Sequence, residues 1–253
     1  MNGDDYIETL RKKRKLRKIR FLFILFLIFA SIGFYWIGFK TDFFHVDLIK
    51  IEGNKILDEE QVIKSSGIVI GDNLLKLRKN AIIKNLLNLS YIENAEVIKK
   101  YPKSIILKIN ERVPVIQLNL EGKFQIIDVN GYVLENTNDK IPELPELLNL
   151  LKKEVEINQS IYSSIDQPEF HQLFITLDEL NLLSKLYTID FENSKNIVLC
   201  TKEGIIIDFG PLDSVEYKVK LLNEVMSDLR DKNMAYKKII MNRGSNPIII
   251  TQD

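Results

Sequence analysis

Two histidines, His45 and His171, and one cysteine, Cys200, are the residues of this 253-residue chain with the greatest range of ligand and nucleophile chemistry. A histidine-based metal site would have at most those two ligands, and no H-E-x-x-H spacing accompanies them. Cys200 lies in the apolar string IVLCT without a neighbouring histidine to draw off its proton, so it reads as a small buried hydrophobe. Asp128 in IID and Asp208 in IIID could pair across a sheet as general acid and base, but each sits beside a turn, where solvation at a hairpin edge is the expectation. Gly122, Gly131 and Gly204 punctuate turns and do not form a phosphate-cradling loop. The expectation is therefore a protein that is not an enzyme, with no catalytic, metal-binding or cofactor-binding residues.

The elements that would position any site begin with RKKRKLRKIRFLFILFLIFASIGFYWIGF, residues 11 to 39. Eight cations fill its first ten positions, and the nineteen residues from Phe21 to Phe39 carry no charge. As a helix that run is roughly 28 Å long at 1.5 Å per residue, close to the hydrocarbon thickness of a bilayer. A cleaved signal would have a shorter apolar core and a small-x-small site beyond it. Here the run ends instead in Tyr35 and Trp36, rings suited to a membrane interface. The positive-inside rule places residues 1–20 in the cytoplasm as a basic tail, 21–39 in the lipid, and the bulk of the chain outside.

Residues 1–40 hold 9 of the 35 Lys and Arg and 3 of the 35 Asp and Glu, so the remaining 213 residues carry a net charge of about −6. That mildly acidic balance argues against nucleic acid as a partner. A lone cysteine permits no internal disulfide, which fits a bacterial exterior better than a eukaryotic secreted module.

From Phe44 to Pro114 the pattern reads β-α-α-β-β. Ile49 and Ile51 alternate with Lys50 and Glu52 before a Gly53-Asn54 turn. Asp58 opens a short helix that Gly67 closes, and Ile82, Ile83, Leu86 and Leu89 mark a second. Ala95 and Val97 share one strand face, and Ile105, Leu107 and Ile109 another, with Pro114 ending a strand. Residues 115–253 are mostly strands. A type I′ hairpin turn is expected at Asn130-Gly131 and a repeat of it at Glu203-Gly204. Phe170, Leu173, Leu177 and Leu180 mark one helix leading into the strand YTIDF. Asp213 and Glu216 have capping-box spacing before a second helix with a Leu222, Val225, Leu229 stripe that reaches about Asn233. Two apolar runs then close the chain, parted by Gly-Ser-Asn. A terminal strand that exposes its edge offers unpaired N–H and C=O groups to which another chain can add, and Pro247 suits such an edge.

The strings FFHVDLIKIEGNKILDEEQVIKSSGI and YIENAEVIKKYPKSIILKINERVPV, closing on Glu111, Arg112 and Pro114, resemble the polypeptide-transport-associated (POTRA) domain of the FtsQ/DivIB family of bacterial cell-division proteins. IIDVNGYVL, the later Leu144 and Pro145, IIIDFGP, the helix carrying Lys218 and the terminal strands with Arg243 resemble the β domain of that family. Met241 and Asn242 depart from the usual Asp-aliphatic pair before the arginine, and residues 147–164 match loosely.

The resemblance implies an α+β protein: a single N-terminal transmembrane helix, a POTRA domain at 44–114, and a mostly antiparallel β domain with flanking helices at 115–253. It implies a single-pass scaffold at the division septum that binds FtsB/DivIC and FtsL and helps position septal peptidoglycan synthesis, with the synthases as further partners. Docking is then expected around Asn242, Arg243, Pro247, Ile248, Ile249 and Ile250, through backbone more than side chains. The competing readings are an extracytoplasmic peptide-binding sensor carrying a POTRA module and a membrane-anchored cell-wall enzyme. The first needs an output domain and the second a catalytic group.

Overall fold

The basic block and the uncharged run form one continuous helix, α1 (Gly3–Lys40), in a computed structural model that describes residues 3–165, 167–193, 195–241 and 246–251. Its stretch Lys15–Lys40 is, among the described residues, the one helix long and apolar enough to cross a membrane. Phe21 to Phe29 and Phe34 to Trp36 are exposed along it, as a helix that faces lipid requires. A 3₁₀ turn at Asp42–Phe44 follows, started by the Thr41 hydroxyl, which accepts from the Phe43 N–H.

The chain divides into two compact units, Met1–Leu86 with Ala95–Ile109, and Leu87–Asn94 with Asn110–Asp253. In the first, which holds β2 from Ala95 and β3 as far as Ile109, β1 (Leu48–Glu52) leads to α2 (Glu59–Ser66), α3 (Lys79–Leu86), β2 (Ile92–Lys100) and β3 (Ser104–Glu111). The strands form a sheet in the order β1-β3-β2, with β1 and β3 parallel. Parallel neighbours need a long crossover, and the two helices lie within it. Val62 of α2, Ile82 and Leu86 of α3, and Ile51, Ala95, Val97, Ile105 and Leu107 of the strands are buried. The element order and the alternation read from the sequence are both present. Asp58 caps α2 without a side-chain bond, and Gly67 ends it in the left-handed conformation at φ 73°. Gly53 is required where it stands: its φ is 96°, and an added Cβ would lie 2.1 Å from the Ile109 carbonyl oxygen.

The second unit is built on a nine-stranded sheet. Its strands are β4 (Pro114–Leu120), β5 (Lys123–Asp128), β6 (Val133–Thr137), β7 (Glu146–Leu148), β8 (Leu186–Asp190), β9 (Ile197–Thr201), β10 (Ile206–Gly210), β11 (Tyr236–Ile240) and β12 (Ile248–Thr251). They lie in the order β12-β11-β10-β9-β8-β7-β4-β5-β6. Five of the eight pairings are antiparallel. The parallel junctions β7/β8 and β10/β11 are spanned by α4 (Pro168–Glu179) and α5 (Val215–Asp231), the crossovers that parallel pairing demands. Leu173, Phe174 and Leu177 of α4 and Val219, Leu222, Met226 and Leu229 of α5 share one core with Ile116, Leu147, Ile189, Leu199, Ile207 and Ile239 of the strands.

Local geometry corrects several expectations. Only the glycine of each hairpin pair has positive φ, 80° at Gly131 and 83° at Gly204. Gly131 N–H donates to the Asp128 carbonyl and Asp128 N–H to that of Tyr132; Gly204 to Thr201 and Thr201 to Ile205 repeat the scheme. These are three-residue loops closed by a left-handed glycine, not type I′ turns. Pro114 opens β4 instead of ending β3, a first-strand position where no N–H is needed. The Asp213/Glu216 capping box does not form: Ser214 is the N-cap without a side-chain bond, while Asp213 pairs with Lys218 and Glu216 with Lys220. Met226 takes the buried place expected for Val225 on α5, which ends at Asp231.

Candidate partner-docking edge

β11 reads YKKII, so Ile239 points to the helix-covered core while Lys238 and Ile240 point to the opposite face. Met241 N–H donates to the Asp208 carbonyl at 2.9 Å, which directs the N–H and C=O groups of 239 and 241 toward β10. By alternation, those of 238 and 240 face β12. The antiparallel register pairs Lys238 with Ile250, Ile239 with Ile249 and Ile240 with Ile248. Ile248 and Ile250 therefore bond to β11, and Ile249 directs its N–H and C=O outward.

β12 terminates the sheet. Its outer rim begins at Pro247, which has no N–H to leave unpaired, and the next outward donor is Ile249. Ile248, Ile249 and Ile250 remain 43%, 36% and 36% exposed, high for three consecutive isoleucines. Asn242 and Arg243, named with them from the sequence, lie outside the described residues.

The sheet face away from α4 and α5 continues this apolar rim. The register aligns Thr188, Cys200, Ile206, Lys238 and Ile250 in one row, and Val198, Asp208, Ile240 and Ile248 in the next. Ile206 is exposed, and Cys200 is half-buried here instead of buried in the core. Lys238 Nζ lies 2.6 Å from Asp208 Oδ2, so this carboxylate is spent on an ion pair. Tyr236 at the start of β11 has its phenol pushed up by burial and by the Glu203 carboxylate, with Arg230 opposing, so it stays a neutral donor. Ile206, Ile240 and Lys238 were not singled out from the sequence. Their signal is the alternation within IIIDFG and YKKII, which assigns them to a face but not to an open one.

The residues considered for catalysis are dispersed. Asp128 lies on β5 and Asp208 on β10, with β9, β8, β7 and β4 between them, so they cannot share a proton. Neither is solvated as a hairpin edge would be. Asp128 is buried, accepting from Arg112 Nη1 at 2.7 Å through one oxygen and from the Tyr132 N–H at 2.7 Å through the other. His45 Nδ1 is 3.1 Å from Asp42 Oδ1, and His171 packs on the Tyr162 ring with centroids 4.9 Å apart. Burial, reinforced by the Asp128 charge, raises the Tyr162 phenol, whose hydroxyl donates to the Val129 carbonyl. Among the described residues no three His, Cys, Asp or Glu side chains converge as a metal site would need.

Residues 44–112 match the family described as POTRA domain, FtsQ-type. Over 197 residues the chain is 31% identical to the cell division protein DivIB of Clostridium tetani, covering 77% of this chain and 73% of that protein. It is 28% identical to DivIB of Clostridium botulinum strain Hall over 218 residues, 83% of this chain and 82% of the relative. The cell division protein FtsQ of Rickettsia bellii is 25% identical over 199 residues, 76% and 72% of the two chains.

Proposed function

The chain belongs to the DivIB/FtsQ family of bacterial cell-division proteins, and from that membership we propose that it is a single-pass scaffold of the divisome. In this reading α1 spans the plasma membrane with its basic end in the cytoplasm. The POTRA domain, residues 44–114, and the β domain, residues 115–253, stand outside at the septum. The protein performs no reaction; it holds FtsB/DivIC and FtsL beside the machinery of septal peptidoglycan synthesis.

The observation that supports docking at the C-terminal edge is the outward Ile249 N–H and C=O of β12, with the exposed isoleucines around them. An added strand would pair with that rim and draw its side-chain contacts from Ile248, Ile250 and the open sheet face. Main-chain bonds supply affinity in such an addition, and alternate side chains supply specificity. Asn242 and Arg243 belong to the same proposed surface.

The test is capture in dividing cells. A photoreactive residue at Ile250 in the full-length protein should crosslink to FtsB/DivIC, whereas the same residue at Glu60 on α2 should not. Recovery of neither FtsB/DivIC nor FtsL from the Ile250 position would remove the edge from the account.

A further inference from the structure

The last turn of α1 is bonded to the POTRA unit by Asn73. Its Nδ2 donates to the Gly38 carbonyl at 2.8 Å, one of the helix-end carbonyls left without a partner inside the helix. Its Oδ1 accepts from the Leu75 N–H at 3.0 Å, and Asn73 is buried. Gly38 lets the two segments approach closely: an added Cβ would lie 3.2 Å from Leu75 Cδ1, a tight contact that a small shift of that side chain would have to relieve. Gly38 also lies inside the apolar stretch Lys15–Lys40. A side chain spans only a few ångströms, so Asn73 and its neighbours stand at the level where that stretch ends.

Two loops share this level. Val46 N–H donates to the Asp72 carbonyl and Gly71 N–H to that of Val46, which fixes the loop 68–72 beside the chain leaving the helix. Asp47 N–H donates to the Lys103 carbonyl, which brings the β2–β3 connection to the same end. The tip of the first loop carries Val69 and Ile70, exposed by 65% and 59%. Part of its backbone is bonded from within: Val69 N–H donates to Asp72 Oδ2, and Asp72 N–H to the Val69 carbonyl. Phe43, Phe44 and Tyr101 form an aromatic chain from the helix end to the second loop, with centroids 5.0 and 6.1 Å apart, and Phe43 and Tyr101 are exposed.

We propose that this rim, Val69, Ile70, Phe43 and Tyr101, is a membrane-docking surface that seats the POTRA unit on the lipid leaflet where α1 emerges. Aromatic rings favour the headgroup layer, and aliphatic side chains at a loop tip reach the acyl boundary while the loop's backbone stays among the hydrated headgroups. The titratable groups close to the rim in the chain include Asp72, which accepts from the Val69 N–H, and Lys40, Lys76, Lys103, Asp42, Asp47 and His45. Asp47 pairs with Lys103 and Asp42 lies beside His45, and the exposed tips are apolar, so the proposed attraction is carried by apolar side chains and is expected without anionic lipid. The POTRA unit then holds one orientation to the membrane plane. The proposal rests on α1 spanning the bilayer.

Trp36 is the sole tryptophan of the chain and reports on the span itself. The full-length protein is reconstituted in phosphatidylcholine vesicles with brominated acyl chains, first as wild type. Ile70→Trp, Val69→Trp and Glu60→Trp are then placed in a Trp36→Phe background. β1 runs away from the membrane end and α2 returns, so Glu60 at the start of α2 is the distant control. The proposal predicts blue-shifted, quenched emission for Trp36 and for tryptophan at 69 or 70, and unquenched emission at 60. If Trp36 is unquenched, the span reading fails and this proposal with it. Quenched Trp36 with unquenched 69 and 70, or equal quenching at 60, overturns the docking proposal alone.

Discussion

Arg112 and Asp128 show how much a single residue carries in this fold. The guanidinium donates to the carboxylate at 2.7 Å and lies 3.8 Å over the Tyr132 ring, with both charges nearly excluded from water. Removing one partner of such a pair leaves the other buried and unpaired, which costs about 3–5 kcal/mol, while replacing both is milder. Arg112→Leu should therefore lower unfolding stability by that order, and Arg112→Leu with Asp128→Leu by less. Urea unfolding of the full-length chain in detergent checks it, and a loss below about 1 kcal/mol, the scale of an exposed pair, would contradict it. A second residue contributes to the alkaline limit. Burial first, then the Glu135 carboxylate, pushes the Tyr91 phenol up to about 12, above the ordinary value near 10. A raised phenol favours the neutral folded form, so its contribution is whole below about pH 10 and is lost as pH rises toward 12. Tyr91→Phe should make that limb of the stability profile shallower, with Tyr162 and Tyr236, also raised by burial, keeping the rest of the slope. An unchanged slope between pH 10 and 12 would show that Tyr91 does not contribute to it.

Elements, more than side chains, carry the proposed docking edge. Proline at 249 removes the outward donor of β12 and leaves the β11 ladder intact, whereas proline at 248 or 250 breaks the bonds that hold β12 in place. Ile249→Pro should weaken FtsB/DivIC binding at least about tenfold, the order expected when a strand loses a ladder bond and its neighbours shift. Titration calorimetry against Ile249→Ala separates the donor from the side chain, since alanine keeps the N–H. Equal losses in the two variants would assign the effect to the isoleucine. The terminal strand was legible in IIIT because hydrophobic runs after a turn signal read as strands whatever their neighbours. Its outward residue was not, because hydrogen-bond parity depends on the register with β11, and that is set across 10 residues of chain. The hairpins repeat the lesson. Asn130-Gly131 and Glu203-Gly204 were visible as turns from glycine alone, but their loop type depends on strand register, and at Gly131 alone the Tyr162 ring also comes within 2.7 Å of where a Cβ would sit. Asp128 was misread as solvated for the same reason: Arg112, 16 positions earlier, reaches it only once β4 has paired with β5.

At the scale of the whole molecule, the proposed topology joins a cytoplasmic basic helix end, a span and an external β domain. The order α1, β-α-α-β-β and then mainly strands was legible from periodicity and from the family strings, because each segment's apolar pattern matches its element. The parallel junctions at β7/β8 and β10/β11 were not, since crossovers are a property of sheet order. Topology predicts that Lys12 is protected from an impermeant amine reagent in intact cells and that a reporter fused after Thr41 is external; labelling of Lys12 without lysis would reverse the orientation. The central claim is that a partner strand pairs with β12. Amide hydrogen exchange at Ile249, measured on the full-length protein alone and saturated with FtsB/DivIC, tests it most directly. The account predicts fast exchange when free and strong protection in the complex, with Ile248 and Ile250 protected in both. A complex that forms while the Ile249 amide keeps its free exchange rate would contradict it.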